Sequence, residues 1–436
     1  MSTSPSPALQ STLAQRRSRL EKALALRTEI LLIPSGMEIG VPGGLDAVYP
    51  FVEHPDFRWL SEQRGPGHVL AFDPDEGWQE FFQRPSVNDT IWTGARWDGR
   101  GRSVTELKDW LASRVKAGKK LLALGSSSEH IEGFPVEHRP EVAALAWHAR
   151  RSKDAHSISL IEKAVAATAA GFKALPAFIA PGRSEREIAA EIAHRFFCAG
   201  ADALAFPTIV GCGDNSACLH FTPSERQVKA QDWILVDAGA SVAGYVADVT
   251  RMFPSRSGSF SGLQKELYDL LLTAQLAAID RCRPGVEWHE VHRGVALDIA
   301  RGLCHFGIIK SSAEAAVESG AIGVFLPHGV GHMFGLGIRD ASGHSPDRTS
   351  LETVGLVRLR CHFKLEPGYS MTVEPGCYFI PAYLDQQEQA GRFKDQIDFD
   401  VARGEFARIG GLRIEDDIIV GEAGKPPKVL TSEIPK

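Results

Sequence analysis

The sequence predicts an α+β fold in its second half, in which helices cover one side of an antiparallel sheet. From about residue 152 onward, long helical patterns are interleaved with short apolar runs that are typical of strands. Several of these runs contain a carboxylate, which an ordinary buried strand rarely carries. The first half mixes helix and strand patterns and is predicted to be a smaller α/β domain. We therefore expect one domain over residues 1–150 and another over residues 151–436.

The N-terminal domain is predicted to begin with an amphipathic helix over residues 9–26. A short buried strand follows in EILLIPSG, and mixed patterns continue to the apolar run KKLLALG. Aromatic residues are concentrated between these runs, for example in VYPFVEHPDFRWL. No group of residues in this half indicates catalytic chemistry by itself.

The second domain is predicted to begin with a long helix, HSISLIEKAVAATAAGFKALPAF. The next helix opens with a capping box of Ser184 and Glu187 and ends before Gly200. Two further helices are expected over residues 261–282 and 289–306. The strand patterns around these helices are TIVGCG, ILVDAGA, GYVADVTRMF, YSMTVEPGCYF and LRIEDDIIV.

Length, composition and charge limit the classes of function. A chain of 436 residues with 44% hydrophobic and 23% charged residues is typical of a soluble globular protein with two domains. A formal net charge of -6 argues against general nucleic-acid binding. Seven cysteines without a C-x-x-C pair favour a reducing compartment. Because no apolar run is long enough for a signal peptide or a membrane helix, we expect a cytoplasmic protein without a membrane partner.

Two aspartates stand in otherwise apolar strand patterns, Asp237 in WILVDAGA and Asp248 in GYVADVTRMF. A hairpin that turns around residues 242 and 243 would place them directly opposite one another. Two like charges about 4 Å apart cost roughly 4 kcal/mol at an effective dielectric constant of 20. An exposed sheet face that solvates both acids would remove this cost, but the hydrophobic flanks of both strands argue against exposure.

Two further acids repeat the pattern, Glu374 in YSMTVEPGCYF and Glu415 in LRIEDDIIV. A single buried acid is more often a structural hydrogen-bonding group, but four in the strands of one domain favour a metal site. Four carboxylates and one neutral imidazole carry a charge that two divalent cations would balance. A set of ligands rich in oxygen and free of thiolate favours Mn²⁺, Co²⁺ or Fe²⁺ over a structural zinc. Two such ions about 3.5–4 Å apart hold a bridging hydroxide at neutral pH.

The segment PHGVGHMFGLGIRD places His328 and His332 four residues apart among glycines. The spacing is that of a helical zinc motif, but Gly329 stands where that motif needs a glutamate. Each glycine also weakens a helix by up to about 1 kcal/mol. We therefore expect an extended segment in which the backbone approaches its neighbours closely.

The ordered motifs DAGASVAGYVADVTR, HGVGH, TVEPG and RIEDD together resemble those of the pita-bread metallopeptidases. That family includes methionine aminopeptidase, aminopeptidase P, creatinase and prolidase. The resemblance covers roughly residues 155–425, and the N-terminal half resembles the smaller creatinase-type domain of bacterial prolidases. Resemblance to the prolidases (Xaa-Pro dipeptidases) implies hydrolysis of the imide bond of Xaa-Pro dipeptides by a metal-bridging hydroxide. It also implies a homodimer and two divalent ions, Mn²⁺ in the first place, with Zn²⁺ as a further candidate.

The resemblance implies a role for each residue of the motifs. Asp248 and Glu415 would bridge the two ions, and Glu374 would also take the proton from the attacking hydroxide. His220, in CLHFTPS, would contact the substrate and help to stabilise the tetrahedral intermediate, and His328 would also reach the substrate. By the family pattern the metal ligands are Asp237, Asp248, His332, Glu374 and Glu415.

Arginines complete the predicted site. Arg360 stands where prolidases hold the carboxylate of the C-terminal proline, which would restrict the enzyme to dipeptides. Arg339 stands where close relatives have histidine, and a guanidinium cannot act as a general acid. Either Arg339 holds the substrate or the oxyanion, or it points away and another residue, such as His344, takes its place. Arg413 is expected to support the ligand residues.

Three alternative functions stay open. Aminopeptidase P would cleave longer peptides and would need an open cleft beyond the proline, against which Arg360 argues. A related scaffold can hydrolyse phosphotriesters as a side activity. A non-catalytic peptide-binding module of the pita-bread type would usually have lost metal ligands, whereas this sequence keeps all five.

Overall fold

The computed structural model describes residues 6–97, 99–125, 128–255, 260 and 262–436. The chain divides into two compact units, Met1–Arg150 and Arg151–Lys436. We call them the N-terminal unit and the C-terminal unit.

The N-terminal unit is built around one mixed six-stranded sheet of order β4-β3-β2-β1-β5-β6. β1 pairs antiparallel with β2 and parallel with β5, which confirms a small α/β domain. Both elements predicted at its start are present as α1 and β1, and every residue of β1 is buried. The strands are β1 (Ile30–Pro34), β2 (Val69–Asp73), β3 (Gly77–Phe82), β4 (Arg102–Ser103), β5 (Leu121–Ala123) and β6 (Val136–Glu137). The helices are α1 (Pro7–Leu24), α2 (Pro55–Leu60), α3 (Val87–Thr93), α4 (Leu107–Lys116) and α5 (Pro140–Arg151).

The C-terminal unit contains the four long helices that the sequence predicts. The capping box of the second is present, because the Glu187 amide donates to the Ser184 hydroxyl and the Ser184 amide donates to the Glu187 carboxylate. No helix among the described residues is both long and apolar enough to span a membrane. The helices are α6 (Ala155–Phe178), α7 (Glu185–Cys198), α8 (Gly262–Arg281), α9 (Trp288–His305), α10 (Ala313–Ser319), α11 (Pro381–Gln389), α12 (Phe399–Val401) and α13 (Ala407–Ile409).

Short antiparallel sheets form the other layer of the C-terminal unit. Two of them have three strands in the orders β12-β9-β8 and β17-β20-β21, and β18 pairs with β19. Apolar residues of α8 and α9 pack with these sheets in one core that includes the fully buried Trp233 and Trp288. The strands are β7 (Ala203–Leu204), β8 (Ile209–Cys212), β9 (Trp233–Ala238), β10 (Ala240–Val242), β11 (Tyr245–Val246), β12 (Val249–Pro254), β13 (Gly343–His344), β14 (Thr353–Val354), β15 (Val357–Arg358), β16 (Cys361–His362), β17 (Ser370–Val373), β18 (Gly376–Tyr378), β19 (Gly411–Arg413), β20 (Asp416–Ile419) and β21 (Lys428–Val429).

The hairpin of the two aspartates has a register that differs from the predicted one. Asp237 lies opposite Thr250, so the prediction that Asp248 faces it directly is wrong by two residues. The turn lies one residue later than predicted, at Ala243 and Gly244, whose φ angles are 49° and 80°. Positive φ at both central residues is the geometry of a type I′ turn, whose twist matches that of the strands. The register shift is two residues, an even number, so both aspartates stay on the same face of the hairpin, as predicted.

Three of the four predicted ligand acids lie where a strand is interrupted. Asp248 separates β11 from β12, Glu374 directly follows β17, and Glu415 separates β19 from β20. The Asp248 amide donates to the side chain of Asp417 instead of a neighbouring strand. Interruptions of this kind redirect side chains out of the regular alternation of a strand, so they can converge on one point.

The segment between His328 and His332 is extended, as its glycines predict. The His332 amide donates to the Thr372 hydroxyl, and the Thr372 amide donates to the His332 carbonyl. A Cβ atom at Gly331 would lie 2.1 Å from the Thr372 carbonyl oxygen. Only glycine therefore allows this segment to run against β17, and that approach brings His332 next to Glu374.

Candidate metal centre

A cavity of about 450 Å³ lies in the C-terminal unit. Its volume falls in the range of about 300–1,000 Å³ that is typical of small-molecule sites. The lining contains all nine residues of the predicted site together with Arg413, and the rest of it is mainly apolar. The predicted residues are His220, Asp237, Asp248, His328, His332, Arg339, Arg360, Glu374 and Glu415. The apolar part of the lining, which we call the apolar wall, includes Phe206, Pro207, Ile209, Leu219, Phe221, Pro223 and Ile338.

The tightest group in this cavity consists of Asp248, His332 and Glu415, whose potential ligand atoms all lie within 4.8 Å of one another. Nε2 of His332 lies 3.5 Å from an oxygen of Asp248 and 3.5 Å from an oxygen of Glu374. All of these side chains are buried. Residues from four separate parts of the sequence therefore offer ligand atoms to one small volume.

The hydrogen bonds of His332 show that its Nε2 is suited to binding a cation. Nδ1 lies 3.0 Å from the Met333 carbonyl oxygen, so Nδ1 carries the proton. Burial, only partly offset by that hydrogen bond, lowers the pKa of His332 to about 3. The imidazole is therefore neutral at pH 7, and the lone pair of Nε2 points towards two carboxylates. A cation between these atoms would turn mutual repulsion into coordination.

The carboxylates of the cluster are difficult to ionise without a cation. Burial, followed by repulsion from neighbouring acids, raises the pKa of Asp248 and Glu415 well above the ordinary range. Burial also raises the pKa of Glu374 to about 7, against the opposing effect of Arg360. Oδ1 of Asp237 is buried and has no hydrogen-bond partner. Buried acids in excess of basic groups, with an unsatisfied oxygen among them, fit a site for divalent cations.

Hydrogen bonds from Arg413 orient two of the acids. Its Nη2 donates to Oδ2 of Asp237 over 2.6 Å, and its Nε donates to the Thr250 hydroxyl over 3.0 Å. That hydroxyl donates in turn to Oε2 of Glu415 over 2.6 Å. Arg413 thus supports Asp237 directly and Glu415 through Thr250, as expected for a residue that orients metal ligands.

Tyr378 continues this network and was not identified from the sequence. Its hydroxyl accepts a hydrogen bond of 2.7 Å from Nη1 of Arg413 and lies 3.0 Å from Nε2 of His328. Nδ1 of His328 faces the Gly329 carbonyl, so Nε2 accepts from the tyrosine hydroxyl. Both ring nitrogens of His328 are therefore engaged by the protein. Tyr378 comes close to Arg413 through the pairing of β18 with β19, which sets Gly376 opposite Arg413, and no sequence pattern indicates that contact.

Asp417 is a second residue that sequence reasoning missed. It is fully buried, and its Oδ2 accepts the backbone amide of Asp248 over 2.9 Å. Burial raises the pKa of Asp417 well above its usual range, and its other oxygen has no hydrogen-bond partner. The residue holds the backbone of Asp248 at the interruption between β11 and β12, and thereby orients that side chain.

The remaining predicted residues of the cavity lining are His220, Arg339 and Arg360. His220 keeps access to solvent, but partial burial of its ring, followed by the charge of Arg413, lowers its pKa. Nη1 of Arg360 lies 3.8 Å from Oε1 of Glu374. Arg339 lines the cavity, whereas His344 lies in β13 and does not. The alternative in which His344 takes the place of Arg339 therefore lacks support.

Fold and cavity together define a class of protein, a hydrolase domain in which buried acids and a histidine surround a cation site. Residues 159–422, more than half of the chain, match the description "Metallopeptidase family M24". The chain therefore belongs to metallopeptidase family M24, whose members use divalent metal ions. This result confirms the resemblance to the pita-bread metallopeptidases.

Similar proteins of known name carry two different activities. A Xaa-Pro dipeptidase of Stenotrophomonas maltophilia is 31% identical over 423 residues, which cover 93% of this chain and 92% of that protein. A probable Xaa-Pro aminopeptidase of Aspergillus clavatus is 30% identical over 403 residues, which cover 87% and 85% respectively. Sequence similarity alone therefore does not separate dipeptidase from aminopeptidase.

The solved structures of similar fold extend the likeness to nearly the whole chain. Aminopeptidase P from Escherichia coli with the inhibitor Pro-Leu has a TM-score of 0.80 at 25% identity, covering 98% of this chain and 96% of that one. Aminopeptidase PepP of Pseudomonas aeruginosa has a TM-score of 0.79 at 25% identity, with coverages of 97% and 96%. The pita-bread fold predicted from the motifs is therefore confirmed.

Proposed function

We propose that the protein hydrolyses the imide bond of Xaa-Pro dipeptides with the help of two divalent ions, Mn²⁺ in the first place. The observation that carries the dipeptide assignment is Arg360. Its guanidinium lines the same cavity as the acid cluster, 3.8 Å from Glu374. A guanidinium at that point suits the carboxylate directly after the scissile bond, which only a dipeptide presents there.

The residues that would hold the ions are those of the acid cluster. Asp248 and Glu415 would hold the ions together with His332, because the potential ligand atoms of these three residues all lie within 4.8 Å of one another. Bound divalent ions activate water and polarise the carbonyl oxygen of the substrate. The full set of proposed ligands is Asp237, Asp248, His332, Glu374 and Glu415.

Three side chains of the cavity would carry out the remaining steps. Glu374 takes a proton from the attacking water and delivers it to the proline nitrogen, which must be protonated to leave. His220, whose lowered pKa keeps its imidazole neutral at pH 7, donates a hydrogen bond to the developing oxyanion. Arg360 orients the dipeptide through its carboxylate, which keeps the scissile bond beside Glu374.

The apolar wall suits the other parts of the substrate. Phe221 and Ile338 line the cavity together with Arg360. An apolar surface next to a cation fits proline, whose ring is apolar and whose carboxylate is charged. His328 would have a positioning role. Its ring contacts the Tyr378 hydroxyl, which also accepts a hydrogen bond from Arg413, so His328 would help to keep Arg413 in place.

A second candidate function is the removal of an N-terminal residue from longer Xaa-Pro peptides. The observation that favours it is the likeness to the structure of aminopeptidase P from Escherichia coli, which covers 98% of this chain. The same ligands would serve both reactions. The difference lies beyond the proline, where a longer peptide has an amide instead of a carboxylate.

The deciding experiment compares Met-Pro with Met-Pro-Ala on Mn²⁺-loaded protein, with product analysis before and after EDTA. We expect proline to be released from the dipeptide alone and all cleavage to stop with EDTA. Arg360→Gln should raise KM for Met-Pro, whereas Arg358→Gln, exposed on β15 and outside the cavity lining, is the matched control. Cleavage of the tripeptide would select the aminopeptidase instead, and cleavage of neither peptide would reject both assignments.

We further infer a cytoplasmic homodimer. All seven cysteines are free thiols, as expected for a reducing compartment. The N-terminal unit exposes several large apolar side chains, which suits an interface between two copies. The exposed residues include Leu45, Val52, Val87, Ile91 and Trp92. Light scattering after size exclusion would test this state, and a monomer mass at micromolar concentration would contradict it.

A further inference from the structure

Two guanidinium groups, those of Arg339 and Arg360, line the cavity without a hydrogen bond to a carboxylate of the described residues. Among the residues that the structure describes, no carboxylate lies within 4.0 Å of the Arg339 guanidinium, and neither arginine donates a hydrogen bond. The acid nearest to Arg360 is Glu374 at 3.8 Å, which belongs to the acid cluster. By contrast, Arg413 in the same cavity donates to Asp237. Arginines that face a cavity without a hydrogen-bonded carboxylate indicate an anionic ligand.

Strand pairing brings the segments that carry these two arginines next to each other. β13 and β16 pair in parallel, and the Gly343 amide donates to the Arg360 carbonyl over 2.9 Å. The segment that begins at Arg339 therefore runs beside residue 360. Burial, followed by the positive charge of Arg360, lowers the pKa of Arg339. The two positive charges repel one another, and an anion between them would relieve that repulsion.

Buried contacts hold the backbone of Arg339 in place. The next residue, Asp340, accepts a hydrogen bond of 2.9 Å from the Lys153 ammonium, and the two side chains are only 1% and 2% exposed. Nε of Arg151 donates to the Ala341 carbonyl over 3.0 Å. Because its base is fixed, Arg339 loses less conformational entropy on binding a ligand than an arginine on a mobile loop.

We propose that Arg339 and Arg360 together form a two-guanidinium site for the free carboxylate of the substrate, with Arg339 selecting carboxylate over amide. The ligand assignment rests on the proposed function, since this carboxylate is that of the proline in an Xaa-Pro dipeptide. A carboxylate has two oxygens and about four lone-pair sites, so it can accept paired hydrogen bonds from two guanidinium groups. Arg339→Lys would keep the positive charge but lose the paired N–H donors of the guanidinium group.

Binding of L-proline and of L-prolinamide to Mn²⁺-loaded protein tests the site without any turnover. Isothermal titration calorimetry would compare the wild type with Arg339→Gln, Arg339→Lys and the control Arg358→Gln. We expect Arg339→Gln to weaken proline binding by about 10- to 100-fold, the range for a hydrogen bond to a charged group. Prolinamide should bind all four proteins equally, Arg339→Lys should lie between wild type and Arg339→Gln, and Arg358→Gln should match wild type.

The outcomes separate this site from the proposed reaction. Unchanged proline affinity in Arg339→Gln, with metal content equal to wild type, overturns the two-guanidinium site even if Met-Pro is cleaved. An equal loss of affinity for proline and prolinamide also overturns it, because Arg339 would then not distinguish a carboxylate from an amide. If Met-Pro is not cleaved but proline binding depends on Arg339, the anion site stands and the proposed reaction fails.

Discussion

Buried carboxylates occur in both units of the protein, but their surroundings differ. In the N-terminal unit, Asp56 forms an ion pair with Arg150, and Asp73 binds Lys119 over 2.5 Å and Arg114 over 3.2 Å. Burial opposes the ionisation of Asp73, but the hydrogen bonds from Lys119 and Asp75 help to outweigh it, so its pKa is lowered. Each of these acids has a cation supplied by the chain.

In the acid cluster of the C-terminal unit, the buried carboxylates outnumber the arginines that could balance their charge. Asp248 is paired only with the neutral His332, and the cation nearest to Glu415 among the described residues is Arg413 at 4.0 Å. Burial and acid–acid repulsion raise the pKa of both carboxyls. Burial is common to both units, so it does not distinguish a structural acid from a ligand. Asp248 and Glu415 differ from the N-terminal acids because no cation of the described chain donates a hydrogen bond to their carboxylates.

Asp248→Asn should have the largest effect of the changes that test this comparison. Loss of a carboxylate at the centre of the cluster should abolish tight metal binding and lower kcat/KM by at least about 10³-fold, because metal catalysis contributes several kcal/mol. Metal analysis after gel filtration and kinetics on Met-Pro would measure both effects. A variant that retains full metal and activity would remove Asp248 from the ligand set.

Asp73→Asn is the matching change in the N-terminal unit and should affect stability alone. We expect a loss of about 2 kcal/mol in the free energy of unfolding, less than the roughly 3–5 kcal/mol of a fully buried pair, because Lys119 and Arg114 are partly exposed. Urea unfolding would measure it. Metal content and kcat/KM should stay at the wild-type level, and a loss of bound metal would contradict the comparison.

Metal removal should make stability depend on pH. In the metal-free protein the pKa of Glu374 is raised from 4.5 to about 7, so between these values the folded state holds more protons than the unfolded state. Stability should therefore fall as pH rises from 4.5 to 7, by up to about 1.4 kcal/mol per pH unit for each proton involved. Urea unfolding at several pH values, with EDTA or with Mn²⁺, would measure the slope. Equal slopes under both conditions would show that these acids do not hold the metal.

Tyr378→Phe should give a smaller effect, because the tyrosine acts through Arg413 and His328. Removal of the hydroxyl leaves one guanidinium nitrogen and one imidazole nitrogen without a partner. Metal affinity or kcat/KM should fall by about 10- to 100-fold, the usual range for a residue behind the ligands. Competition with a chelating dye would measure the affinity directly. A change of less than about twofold in both quantities would make Tyr378 a packing residue only.

His344→Ala should have the smallest effect. Its ring is not part of the cavity lining, and its Nδ1 lies 2.9 Å from the Ser345 carbonyl oxygen. We expect kcat/KM to stay within about twofold of the wild type and stability within about 0.5 kcal/mol, as for ordinary surface changes. A tenfold loss of turnover with Met-Pro would instead restore His344 as a functional residue in place of Arg339.

Much of the fold could be predicted because it depends on local patterns. Periodic apolar residues and a capping box are properties of adjacent residues, and they located the four long helices of the C-terminal unit. The same is true of the extended HGVGH segment, since glycines disfavour a helix wherever they stand. The register of the aspartate hairpin was wrong because it depends on a left-handed conformation at Ala243, which alanine rarely adopts.

The network behind the ligand acids could not be predicted in the same way. Thr250, Tyr378 and Arg413 lie far apart in the chain and meet only because β12, β18 and β19 come together beside the cavity. No spacing in the sequence encodes these contacts. Hydrogen bonds of this kind depend on distances of a few tenths of an ångström, which packing of distant segments sets.

By itself the sequence determined the chemical inventory of the protein: acids in apolar strands, a histidine among glycines, and two arginines where a substrate would lie. Only the tertiary structure decided which of these groups face one another and which have a partner. Lone pairs of His332 and the acids point at one volume, while Arg339 and Arg360 line the same cavity and, in the described part of the chain, donate no hydrogen bond to an acid. The physical reason is that residue type sets charge and hydrogen-bonding capacity, whereas folding sets the distances and burial that turn them into a site.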